Sequence, residues 1–216
     1  MGTRRALADP VEYNQVSIVE GETAHIQVEW KEWYNGQVVT GTEETPQISF
    51  GDVKPGDAGK LAIGLTTRSR EDTEPPPLAI EMRLRALPES GAENGRTEPE
   101  IQAGDTTPNH GELQEYVDLD LWFDSGTVIA DQSLYGRCDG IENGGPDLDE
   151  GTLAALTVDP QSDTWPYTLP PDGDCLDPSE SLCLAFEWAI AESVGNIIQG
   201  DSAAFAIEFR TVPCSV

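Results

Sequence analysis

Alternation of apolar and polar side chains is the dominant pattern in this chain. In TAHIQVEW, residues 23–30, Ala24, Ile26, Val28 and Trp30 alternate with His25, Gln27 and Glu29, which is the period of a strand with one buried face. LAIEMRLRAL, residues 78–87, puts Leu78, Ile80, Met82 and Leu84 on one face and Glu81, Arg83 and Arg85 on the other. An amphipathic helix is the rival reading there, and the strict alternation decides for strand. YVDLDLWFD, residues 116–124, sets Val117, Leu119, Leu121 and Phe123 inward and Asp118, Asp120 and Asp124 outward. Two further strands close the chain: LCLAFEWAI, with Leu182, Leu184, Phe186 and Trp188, and SAAFAIEFRTV, with Ala203, Phe205, Ile207 and Phe209.

Between these runs lie turns and loops. ISFGDVKPGDAG, residues 48–59, is a short apolar strand ended by a Lys-Pro-Gly-Asp turn and followed directly by the strand LAIGLTT; Pro supplies a fixed φ and Gly a permissive one. Residues 33–46 form a polar connection, Pro75, Pro76 and Pro77 a stiff spacer, and residues 88–111 a long acidic loop of the length that is usually functional or mobile. Residues 125–181 are the least regular part, with one short helix expected at 151–156. The pattern predicts an all-β fold, a two-sheet jelly-roll sandwich with long irregular loops and at most short helices. One such domain accounts for residues 20–216, with the irregular insertion at about 125–181, and a polar arm, residues 1–19, precedes it.

Charge changes the picture. Forty Asp and Glu oppose 12 Lys and Arg, a formal net charge of −28. The acids are spread through strands and loops, and the strand-patterned segments argue against disorder. Self-repulsion of this size is relieved in molar salt, where the screening length falls to about 3 Å. The composition is that of a protein working in brine, and a poor partner for nucleic acid or anionic membranes. No run reaches the ~18 apolar residues of a membrane span, and residues 1–10 lack the apolar core of a secretory signal.

Chemistry is thin. Cys138, Cys175, Cys183 and Cys214 are even in number and lack CxxC spacing, which points to two disulfides and an oxidising compartment. Of the three pairings, Cys138 with Cys175, closing the irregular loop, and Cys183 with Cys214, tying two late strands, are expected. His25 and His110 read as solvated surface residues, and HExxH, GxSxG, GxGxxG and P-loop motifs are missing from the chain, so no catalytic or cofactor-binding residue is assigned. Asp118, Asp120 and Asp124 on one strand face, and the acidic, Gly-rich run Asp139 to Glu150, are the candidate calcium ligands. Three neighbouring acids are nevertheless expected by chance in so acidic a chain, and the run does not match EF-hand spacing. Of Trp30, Trp33, Trp122 and Trp188, Trp30 and Trp188 lie on apolar faces and belong to the core, whereas Trp122 faces away from Leu121 and is kept as a binding candidate.

KPGD at Lys54 to Asp57, GELQEYVDLDLWFDSG at Gly111 to Gly126, and LAFEWAIAESVGNIIQGDSAAFAIEFRTVPC at Leu184 to Cys214 together resemble the TasA and camelysin family, most closely its haloarchaeal members. In these a KPGD corner, a GEL…LWYD strand and an FEW…N..QGDS..F…F…C ending recur in the same order. The resemblance implies a jelly-roll subunit of secreted filaments, such as bacterial biofilm fibres and archaeal bundling pili, in which the N-terminal segment of one subunit completes the sheet of the next. On that basis Leu7, Val11, Tyr13, Val16 and Ile18 are the expected donor-strand residues, the partner is an identical subunit, lateral bundling is compatible, and the protein is extracellular and not an enzyme. Two departures stand out. The family's signal peptide is not in the chain, whose GTRRALADPVEYNQVSIVEGE resembles the stretch just past the cleavage site, so the chain is expected to begin near the mature end. The metallopeptidase label of some relatives finds no metal-binding His pair here. The alternative is a monomeric secreted binding module whose long loops, residues 88–111 and 136–174, hold a glycan or calcium.

Overall fold

The computed structural model describes residues 15–21, 24–39, 46–69, 77–88, 90–124, 147–170, 175–177 and 181–214. Their strands are β1 (Gln15–Glu20), β2 (Ala24–Tyr34), β3 (Gln37–Val39), β4 (Gln47–Phe50), β5 (Ala58–Ser69), β6 (Leu78–Ala86), β7 (Val117–Phe123), β8 (Asp147–Thr152), β9 (Thr157–Val158), β10 (Tyr167–Leu169), β11 (Ser181–Ile190) and β12 (Ala203–Pro213). Three short helices join them: α1 (Glu98–Ala103), α2 (Leu113–Tyr116) and α3 (Leu153–Leu156).

One sheet runs β10-β6-β12-β4 and the other β1-β2-β5-β11-β7-β8, with β3 on β2 and the two-residue β9 parallel to β6. Counting the major strands from β4 to β12, the first sheet reads first, eighth, third, sixth, and the second reads second, seventh, fourth, fifth. That is the winding of a jelly roll, so the expected sandwich is the observed one. β1, β2 and β3 lie outside these eight and extend the second sheet beyond β5. The segment expected to be irregular carries three strands, β8, β9 and β10, and the expected helix at 151–156 is α3 with the end of β8 before it.

Each long strand turns its apolar residues to the space between the sheets. Ile26, Val28, Trp30, Ile63, Leu65, Ile80, Met82, Leu84, Leu121, Phe123, Leu184, Phe186, Phe205 and Ile207 are all buried in one cluster. Trp188 meets Phe50 edge to face at 4.8 Å between ring centres. At ~1.5–3 kcal/mol for each fully buried large apolar side chain, this layer is the main favourable term. Alternation of burial is lost where a strand is covered on both faces, as along much of β11 and β12 and at the end of β7. Trp122 and Asp124, expected outward on β7, are 1% and 0% exposed, because both faces of β7 are covered at that end. Trp122 is therefore core and not a binding platform.

The outer face of the smaller sheet holds the main cluster of positive charge among the described residues. Glu208 bridges Arg83 and Arg85 at 2.7 and 2.6 Å, and Arg210 pairs with Glu81 at 2.5 Å. The guanidinium groups of Arg83 and Arg210 lie 4.4 and 4.5 Å from the centre of the Trp165 ring, so the connection from β9 to β10 is held down by cation–π contact with two arginines.

The KPGD corner is stapled to a neighbouring hairpin. Asn35 and Gly36, both at positive φ, make the two-residue turn from β2 to β3. Asp57 Nα–H donates to Lys54 O at 3.0 Å, with Pro55 and Gly56 (φ 90°) between them, a type II turn. The Asp57 side chain is 3% exposed and accepts from Tyr34 Oη (2.5 Å), Asn35 Nδ2 (2.9 Å) and the Lys54 amide (3.0 Å). Burial alone would raise this carboxyl, but those hydrogen bonds, with the Lys54 charge, outweigh it and hold the group below its usual range.

The cysteine pairing is a correction. Cys175 is bonded to Cys214, with Cα atoms 6.0 Å apart, which rules out both expected pairs. Leu78, at the start of β6, is flanked by Leu176 on one side and Pro213 on the other, so the residues next to these are brought together at one sheet end. Cys183, buried in β11 of the opposite sheet, is also disulfide-bonded, but not to Cys214, which is taken by Cys175. Cys138 lies outside the described residues.

Two outcomes follow for the fold. A non-reducing digest should yield a peptide joining Cys175 to Cys214, and breaking that link should cost about 2–4 kcal/mol in urea unfolding. Asp57→Asn should cost about 2 kcal/mol at pH 7 by removing charge-assisted hydrogen bonds. A depressed carboxyl contributes its stability above the ordinary value of about 3.9 and loses it as pH falls through the folded value, so the gap between wild type and variant should close below about pH 4.

Candidate functional site

At one end of the sandwich the connection from β6 to β7 meets the turn from β11 to β12. Ser202 Nα–H donates to Ala92 O at 3.0 Å, joining the two segments by backbone, and Gly111 Nα–H donates to Gly91 O at 2.9 Å, closing the first segment on itself. Within the first, α1 opens at Thr97, whose amide donates to the Glu100 carboxylate, and closes on Gly104 in the left-handed region, φ 106°, as helices commonly do. The second segment supplies Asp201. Its Oδ2 accepts the amides of Glu112 and Leu113 at 2.7 and 3.1 Å, capping α2 from a position 88 residues later in the chain.

Five carboxylates collect around this junction: Glu93, Glu100, Asp105, Glu112 and Asp201. One carboxylate oxygen from each of Glu93, Glu112 and Asp201 lies within 4.8 Å of the others. Each of these three side chains has one oxygen engaged by a donor: Glu93 by the Gly95 amide, Glu112 by the Thr107 hydroxyl, Asp201 by the two amides. The other oxygen of each, Glu93 Oε2, Glu112 Oε2 and Asp201 Oδ1, is buried without a hydrogen-bond partner. Glu100 repeats the pattern, 1% exposed with Oε1 unpartnered. Asp105 is 5% exposed, accepts the Thr107 amide at 2.6 Å and faces Arg96 at 3.6 Å.

The electrostatic result is lopsided. Arg96 is the one cation paired with these acids among the described residues. Burial, then the charges of Glu93 and Glu112, push Asp201 up to about 6, against the pull of the two amides. Burial and the charges of Glu100, Asp105 and Glu112 raise Glu93 as well. Neighbouring carboxylates with oxygens turned together and no donor between them form a hard, anionic, oxygen-only site.

The other candidates are more dispersed. Asp118 is exposed, Asp120 half-buried and Asp124 buried, and the three do not converge. Asp147 to Glu150 form part of β8, with Asp149 accepting from Tyr167 Oη at 3.0 Å; residues 139–146 lie outside the described residues. Trp30 and Trp188 are core. Trp33 is half-buried with Lys31 and Lys60 at 5.4 and 5.6 Å from its ring, on the rim of a groove of about 870 Å³ that Asp118, Asp120, Glu150 and Glu187 also line. His25 is half-buried and His110 exposed. Val16 and Ile18 are in β1, opposite Glu29 and Gln27 of β2; Ile18 is 56% exposed. Leu7, Val11 and Tyr13 lie outside the described residues. No helix among the described residues is long and apolar enough to cross a membrane.

Positions 93, 112 and 201 are too far apart in sequence for spacing to join them. The available signal was that Glu112 belongs to the GEL segment and Asp201 to the QGDS segment, the two motifs that carried the family resemblance. Comparison with known proteins adds no identity: no family model and no curated protein matches the chain.

Gly111 gives this site a direct test. A Cβ there would come within 2.8 Å of both Ala92 O and Asp201 Oδ1, so Gly111→Ala must push the two segments apart. At about 1–3 kcal/mol for overpacking and ~2–4 °C per kcal/mol in a domain of this size, thermal unfolding should shift down by about 3–10 °C.

Proposed function

We propose that the chain is the structural subunit of an extracellular homopolymeric filament, assembled by exchange of its N-terminal strand. The observation that carries this reading is the position of β1. It is the outermost strand of its sheet, outside the eight jelly-roll strands, and β2 is its one ladder partner among the described residues. Its six residues pair one to one with residues 25–30 of β2, so the same ladder can be made by the β1 of another copy. Val19, opposite Ile26, packs against the core, whereas Ile18 points to solvent. Little of β1's hold is therefore apolar burial. Six residue pairs at roughly 0.5–1.5 kcal/mol per net hydrogen bond stand against an association cost of about 4–15 kcal/mol, so assembly also needs contacts from the residues before β1. The resemblance of the KPGD, GEL and QGDS segments to a filament family supports the same reading, and the disulfide is compatible with an oxidising exterior. High salt, which screens the −28 charge, is the condition in which subunits of this composition can meet.

The competing reading is a monomeric binding module using the Trp33 groove for a glycan. The two separate in one experiment. Ile18 and Gln27 face each other across the β1–β2 ladder, so the double variant Ile18→Cys, Gln27→Cys can be cross-linked. In high salt the expected result is fibres by negative-stain microscopy whose oxidised subunits run as a covalent ladder on a denaturing gel. Fibres with only intramolecular cross-links would overturn strand exchange, and dispersed particles would favour the module. Removal of residues 1–20 should leave a folded protein that makes no fibres.

A further inference from the structure

We propose that Glu93, Glu112 and Asp201 form a calcium site that locks the β6–β7 connection to the β11–β12 turn. Three clustered acids would not carry this alone in a chain with 40 of them. The second observation is burial without partners: Asp201 is 3% exposed with Oδ1 unpartnered, although its own carboxylate contributes one of the three converging oxygens. Glu100, 1% exposed, leaves Oε1 unpartnered next to Gly200, the residue before Asp201. A buried carboxylate oxygen with no donor costs on the order of 1–3 kcal/mol, and more when charged. Four such oxygens around one junction describe a missing positive partner. Arg96 does not fill that role: its reach ends at Asp105.

The donor set selects the ion. It contains only carboxylate oxygens, with no Cys, and the two histidines, His25 on β2 and His110 exposed at the rim, are outside the converging group. That excludes the nitrogen and sulfur preferences of zinc and copper. Magnesium demands near-ideal octahedral geometry and keeps most of its waters, whereas calcium accepts irregular sets of 6–8 oxygens. Oxygens within 4.8 Å of one another can all reach one calcium ion, which sits at about 2.3–2.6 Å from each ligand. Neutralisation by calcium would leave Asp201 Oδ2 free to keep capping α2, so the ion and the helix cap use opposite oxygens of one carboxylate.

The test uses the whole protein, stripped with a chelator and held at constant high ionic strength in NaCl. Calcium at 1 mM should raise the unfolding temperature by about 5 °C or more, as expected for a ligand well above its Kd, and native mass spectrometry should show one tightly held calcium. Glu93→Gln, which leaves the α2 cap untouched, and Asp201→Asn should each abolish the shift and the bound ion. Asp118→Asn, an exposed acid outside the site, should retain both. No calcium-dependent shift in the wild type, or a full shift in Glu93→Gln, would overturn the site; an equal shift with magnesium would overturn its assignment to calcium.

Discussion

A carboxylate removed from water must be given donors or a cation, and in a chain with 40 acids this requirement shapes everything else. Strand alternation meets most of it, by placing acids such as Asp118, Glu187 and Glu208 on the outer faces while the apolar positions close the core. The exceptions are informative because they are so few. Asp57 and Asp201 are equally buried, at 3% exposed each. Asp57 has both oxygens occupied, by a phenol, an amide side chain and a backbone amide, and is driven below its usual pKa. Asp201 has one oxygen occupied and one bare, and is driven above it. Similar burial with opposite electrostatics separates a carboxylate satisfied on both oxygens from one with an oxygen left unpaired.

How much of this was legible follows the strength of each local signal. The long alternating runs became β2, β6, β7, β11 and β12 with inward faces as read, because a period of two over eight or more residues has little competition. The short polar strands β3, β8, β9 and β10 carry no such pattern; what makes them strands is pairing to β2, β7 and β6, a tertiary effect that propensity does not contain. The β2–β3 turn was readable from Asn35-Gly36, the strongest short hairpin signal, although the segment looked like a plain polar connection. Trp122 shows a different limit. Alternation says which face a residue takes, not whether that face is wet, and this tryptophan is buried on the face assigned to solvent. The disulfide was misread for a related reason: chain distance suggested one loop closure, whereas strand register at Leu78 decided another.

The acidic junction was hidden by composition. Residues 88–111 have the Gly, Pro, Asn and acid content of a solvated loop, yet Glu100 and Asp105 inside it are among the most buried charges of the described residues. Burial came from outside the loop, through the backbone bridge of Ala92 to Ser202 and the reach of Asp201 to the start of α2. A long connection thus acquires order by docking on another turn, and the acids that would have kept it in solution become its interior. Their repulsion opposes that docking, so the stability of the junction depends on the ions in the solvent.

β1 raises the complementary question of what distinguishes closure from exchange. The β1–β2 ladder is the same whether β1 comes from its own chain or from a neighbour, so its hydrogen bonds and the packing of Val19 cancel in the comparison. What remains is effective concentration, which favours the closed form at millimolar levels for a short tether, against whatever the exchanged form gains in new contacts. Electrostatics weighs on the same balance, since bringing two subunits of charge −28 together is opposed at low ionic strength and nearly free of penalty when the screening length is about 3 Å. A polymer built this way would grow in brine and come apart on dilution, without any change in the strand that links it.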